Sequence, residues 1–73
     1  MGKLRILSGR EVCSILEKHV FSEVRRRGSH IAMQKKQSIG TITVPVPDHR
    51  EIKIGTLQSI IRQSGIPRTE FES

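Results

Sequence analysis

Thr41-Ile42-Thr43-Val44-Pro45-Val46 is the stretch whose reading decides the fold. It is almost wholly β-branched and alternates, with Ile42, Val44 and Val46 on one face and Thr41, Thr43 and Pro45 on the other. That is the period of a strand with one buried side. Pro45 has no N–H to give a ladder, so the strand ends there or lies at a sheet edge. Working back toward the N-terminus, Lys36 to Gly40 supplies a turn. Ile31-Ala32-Met33-Gln34-Lys35 alternates more loosely, with Ile31 and Met33 on one face and His30, Ala32 and Gln34 on the other. Gly28-Ser29 is a turn signal. Before it, Phe21 to Arg27 reads as a strand, with Arg25 and Arg27 on one side and Arg26 on the other. Three strands joined by short turns imply an antiparallel meander, with His30 at the mouth of its first hairpin.

Helices flank this core. Ser8-Gly9-Arg10-Glu11 fits a capping box, and Val12, Ile15, Leu16 and His19 or Val20 follow at helical spacing. Leu7 is placed to pack on Val12 as a staple. The spacing predicts a helix over 8–19, with His19 as a C-terminal helix residue. A second helix is predicted over 54–63, with Leu57, Ile60 and Ile61 on its apolar face. Gly65 then serves as the C′ residue and Pro67 prevents continuation. Pro67 also opens a short helical turn carrying Phe71 back to the core. The expected fold is α+β, ordered α-β-β-β-α, a three-stranded antiparallel sheet with both helices on one face.

A chain of 73 residues has room for one core, so residues 1–73 are expected to form a single domain. Cys13 is the only cysteine, which excludes a disulfide framework, and it falls within the apolar helical pattern as a small core residue. No Cys or His pair has the spacing of zinc ligands, and no metal or cofactor is expected. No apolar run has the length of a membrane span or a signal-peptide core, so no membrane partner and a cytoplasmic location are expected. The net charge is +6, from 13 Lys and Arg against 7 Asp and Glu. Arg25, Arg26, Arg27, Lys35 and Lys36 lie in one segment without an acid, which points to nucleic acid or an acidic protein. Phe21 and Phe71 are the only aromatics, too few for a platform that stacks bases. A nucleic acid would therefore be held mainly through its phosphates.

The segment Arg25-Arg26-Arg27-Gly28-Ser29-His30 could hold a phosphodiester and move a proton. An imidazole has both protonation states within reach near neutral pH. Arg25, Arg27, Lys35 and Lys36 are candidate phosphate contacts, with Ser29 and the backbone N–H groups at Gly28 as further donors. Spacing alone leaves His30 open to a blander reading, a surface imidazole beside a turn. Arg26, on the opposite strand face, reads as merely solvated. His49, in the loop from Pro47 to Arg50, is either a surface histidine or a second acid–base group.

Leu7-Ser8-Gly9-Arg10-Glu11-Val12, Arg27-Gly28-Ser29-His30, Val44-Pro45-Val46 and the run from Gly55 to Ile66 together resemble the HicA (YcfA-like) toxins, over roughly residues 7 to 71. The resemblance implies a double-stranded-RNA-binding-domain-like fold and the toxin half of a toxin–antitoxin pair. It implies a metal-independent endoribonuclease that cleaves single-stranded mRNA with the histidine of Gly-Ser-His, here His30, and a HicB-like antitoxin that covers this face. Two departures stand out. Val20-Phe21 replaces the Gly-Phe that many relatives carry after the first helix, and Ile31 stands where many carry a second histidine. The latter leaves the second acid–base group open. Two other classes remain from the residues alone: a non-catalytic duplex-RNA-binding module, and a basic sheet that docks an acidic protein.

Overall fold

Ser8 sets where the first helix begins. Its backbone is extended, its Oγ accepts from the Glu11 N–H at 3.1 Å, and the Glu11 carboxylate accepts from the Ser8 N–H at 2.9 Å. These two bonds close the capping box and hold the Glu11 carboxyl below its usual range, the backbone N–H of Ser8 being the larger cause. The computed structural model describes residues 2–73. In it, helix α1 runs Gly9–Lys18 and buries Val12, Ile15 and Leu16. The helix ends in a Schellman motif. The Phe21 N–H donates to the Leu16 carbonyl at 3.1 Å and the Val20 N–H to the Glu17 carbonyl at 3.2 Å. Val20 takes the left-handed position of that motif, at φ 73°.

Strands β1 (Ser22–Arg27), β2 (His30–Gln37) and β3 (Gly40–Pro47) form an antiparallel sheet in the order β1-β2-β3. Gly28, at φ 58°, makes the β1–β2 turn in the left-handed region that favours glycine. Alternation along β2 and β3 buries Ile31, Met33, Val44 and Val46 on one face. A bulge at Val24 shifts the β1–β2 register between Glu23 and Arg25. β1 is exposed along its whole length.

Helix α2 (Ile54–Ser64) buries Leu57 and Ile60, and Gly65 ends it in the left-handed conformation, its N–H bonded to the Ile61 carbonyl. A 3₁₀ turn, η1 (Arg68–Phe71), then returns Phe71 to a fully buried site. The segment before α1 is tied to this turn: the Arg5 N–H donates to the Phe71 carbonyl at 2.9 Å, and Leu4 bridges Glu72. The apolar faces of both helices and the inner face of the sheet meet in one cluster around Leu16, Met33, Val44, Leu57 and Phe71. Cys13 packs against that cluster, and burial pushes its thiol up to about 11. The fold is α+β in the expected order, with the other sheet face uncovered. Among the described residues no helix is long and apolar enough to cross a membrane.

Candidate active site

The uncovered face of the sheet presents its residues in rows across the strands. Arg27, His30 and Pro47 form the row nearest the β1–β2 turn, and Arg25, Ala32 and Pro45 the next. Strands lie about 4.8 Å apart and successive same-face rows about 6.6 Å apart. Arg27 is therefore the immediate neighbour of His30, with Arg25 one row away. All three are exposed. Lys36 shares this face but pairs with Thr41, roughly 20 Å along the strand from His30.

Period-two alternation sends two of the cations to the other face. Lys35 follows Ile31 and Met33 inward and pairs with Ile42, and its Nζ lies 5.9 Å from the centre of the Phe21 ring. Its ammonium lies over that ring, and it stands apart from His30. Arg26, opposite Ile31, is not merely solvated. Its Nη1 donates to Asp48 Oδ2 at 2.7 Å, and its Nε lies 3.8 Å from Glu23. Arg10 Nε adds a second cation 3.6 Å from Asp48 Oδ1. The hydrogen bond from Arg26 is the main reason the Asp48 carboxyl sits below its ordinary range.

Asp48 belongs to a segment without regular structure, from Asp48 to Lys53, which the rest of the fold holds at several points. The Asp48 N–H donates to the Ser29 carbonyl at 2.6 Å, the Gly9 N–H to the His49 carbonyl at 2.9 Å, and the Ile52 N–H to the Leu7 carbonyl at 2.8 Å. Gly9 is buried against the same segment. A Cβ there would overlap the Pro47 carbonyl and come within 2.9 Å of the Asp48 Cα. Ser29 thus contributes its backbone carbonyl to loop placement, while Gly28 leaves the turn open on its outer side.

The segment forms one wall of a solvent-open groove of about 420 Å³. His30, Pro45, Pro47, His49, Lys53 and Thr56 line it. The start of α2 faces the groove through Lys53 and Thr56. No side chain caps that start and no acid lies in its first turn, so its N–H groups and positive pole remain available to an anion. The arrangement brings together two imidazoles, with Lys53 and Glu51 on the groove wall and Arg27 beside His30 on the sheet, a setting in which a proton could move on a bound phosphate ester. Among the described residues no group of three or more His, Cys, Asp or Glu is placed to hold a metal ion.

The family model for the HicA toxin of bacterial toxin–antitoxin systems matches residues 9–66 of the 73. The chain belongs to the HicA toxin family. It is accordingly the toxin of a toxin–antitoxin pair, and membership implies a cognate antitoxin. No curated protein matches the chain. The matched span of this HicA-family toxin runs from the start of α1 past the end of α2, so it includes His30 and the whole groove.

His49, Lys53 and Thr56 escaped the reading of the sequence as a definite site. His49 carries no periodicity, and its place beside His30 depends on hydrogen bonds between its loop and residues some 20 to 45 positions away, while Lys53 and Thr56 follow at the start of α2. Asp48 escaped for the same reason. The one local signal was Pro45 and Pro47, which mark the strand end from which the loop departs.

Proposed function

We propose that this toxin is an endoribonuclease that cleaves single-stranded mRNA without a metal ion, with His30 as a general acid or base. The observation that carries the reading is the position of His30, exposed at the edge of a groove with Arg27 as its row neighbour. RNA cleaves when its 2′-OH attacks the adjacent phosphorus. The reaction needs a group to take the 2′ proton, a group to protonate the leaving 5′-oxygen, and cations to offset charge on the phosphorane. A neutral imidazole suits the first task and an imidazolium the second. Arg25 and Arg27 supply cations on the same face, with the Gly28-Ser29 turn beside them. Lys36 extends the basic track along β2 toward more distant phosphates. Lys35 serves the fold through Phe21 instead. DNA has no 2′-OH, which makes the chemistry selective for RNA. The antitoxin neutralises the toxin by covering the open sheet face and the groove.

His30→Ala is expected to lose roughly 10²–10⁴-fold in cleavage of single-stranded RNA with its melting temperature unchanged, since the side chain is exposed. Cleavage is followed on a labelled mRNA in the presence of EDTA, and undiminished cutting by the variant would falsify this role. Strong binding of duplex RNA with no cleavage by the wild type would favour a duplex-binding module instead.

A further inference from the structure

His49 stands in an irregular loop, yet that loop is tied to the rest of the fold on both sides of it. Asp48, immediately before it, is held by its N–H on Ser29 and by its carboxylate between Arg26 and Arg10. The His49 carbonyl accepts from Gly9, and Ile52 closes the loop onto Leu7. Among the described residues the imidazole itself has no hydrogen-bond partner. It is exposed and lines the groove that His30 also lines. An anchored backbone carrying an unengaged imidazole toward a groove is what a reacting group requires.

We propose that His49 is the second proton-transfer residue of the site, acting with His30. The inference rests on the ribonuclease reading and adds the group that reading lacks. In-line displacement puts the attacking and departing oxygens on opposite sides of phosphorus, so one imidazole cannot serve both. In the step, the O2′–H bond breaks and its proton passes to one imidazole as the O2′–P bond forms. The P–O5′ bond breaks, and O5′ takes a proton from the other ring, which enters as imidazolium. The products are a 2′,3′-cyclic phosphate and a 5′-hydroxyl, and exchange with water restores both rings. Lys53, on the groove wall, lies where it can offset charge on the phosphate oxygens, while Glu51, also on that wall, keeps the groove from being uniformly cationic. The third histidine, His19, is remote from this chemistry. It lies at the end of α1 with its Nε2 3.3 Å from the Glu70 carboxylate.

The test uses the full chain and two RNA oligonucleotides, one unmodified and one with sulfur replacing the bridging 5′-oxygen at the linkage the wild type cuts. A thiolate leaves without protonation, so that substrate relieves the variant lacking the proton donor and does nothing for the variant lacking the acceptor. His49→Ala and His30→Ala are each expected to lose roughly 10²–10⁴-fold on ordinary RNA under single-turnover conditions. On the sulfur substrate one of the two recovers most of its rate and the other stays slow. His19→Ala keeps the wild-type rate on both. The inference is overturned if His49→Ala cuts ordinary RNA within a few-fold of wild type. It is also overturned if both variants lose equally on both substrates, since His49 then only positions the loop. Thermal melts of each variant separate these results from unfolding. If the wild type cuts neither RNA, the ribonuclease reading falls and takes this inference with it.

Discussion

Val20 occupies the left-handed position of the α1 Schellman motif at φ 73°, where an L side chain costs about 1–2 kcal/mol and a β-branched one is a genuine outlier. The side chain is 76% exposed and so recovers little by packing. This is the backbone region that glycine enters without a side-chain penalty. Glycine returns about 0.5–1 kcal/mol of the gain through its greater freedom in the unfolded chain. Val20→Gly is therefore expected to stabilise the fold by ~0.5–1 kcal/mol, a rise of about 2–8 °C in melting temperature for a domain of this size. A melt unchanged or lowered would mean that the left-handed strain is absorbed elsewhere. Parity made the residue-level assignments on β2 legible: once Ile31 and Met33 are inward, His30 must be outward. The same rule sends Lys35 inward. Its grouping with His30 rested on chain proximity and charge, and alternation outweighs both.

At the scale of elements, the capping box, the three strands and the second helix were legible because each is written in local pattern. The loop from Asp48 to Lys53 was not, because nothing local shapes it. Its form comes from Ser29, Gly9, Leu7, Arg26 and Arg10, all distant in sequence. Asp48 is the centre of that placement, and the sign of its pH dependence follows from its depressed pKa. A carboxylate favoured in the folded state adds stability above the unfolded value of about 3.9 and loses it as pH falls through the lower folded value. Asp48→Asn should be less stable than wild type at pH 7, with the difference shrinking as pH drops below about 4. Glu11 is also depressed but is common to both proteins, so its contribution cancels. Urea midpoints measured across that range check the trend; a gap independent of pH would show that the charge of Asp48 does not matter.

For the whole molecule, the formal charge of +6 overstates the surface offered to RNA. Arg26 is committed to Asp48, Arg10 lies beside the same carboxylate, and Lys35 is on the helix-covered side. Arg25, Arg27 and Lys36 remain on the open face, with Lys53 at the groove. With three or four phosphate contacts, the logarithm of the binding constant for single-stranded RNA should fall against the logarithm of salt with a slope of about −2 to −3. Arg27→Ala should reduce that slope by about 0.7, and Lys35→Ala should leave it unchanged. Fluorescence titrations at several salt concentrations give both numbers, and an equal drop for Lys35→Ala would mean that RNA also reaches the helix-covered side. Composition could give the sign of the partner. Only the faces decide how many charges count.

The prolines of β3 have a consequence for how these molecules meet one another. Pro45 and Pro47 share a parity and face Ala32 and His30 across the ladder, so neither could lend an N–H to β2 in any case. The amides they lack are the outward ones, which a strand from another chain would need. Toward its end, then, β3 cannot template a fourth strand, and the margin of the groove is protected from sheet-to-sheet fusion. The opposite margin, β1, keeps its donors. There, Arg25 and Arg27 oppose a second copy by like charge, and the bulge at Val24 breaks the straight edge that fusion requires. The sheet is thus guarded at one border by missing donors and at the other by charge and a bulge, so neither border offers another chain a straight, neutral edge to pair with.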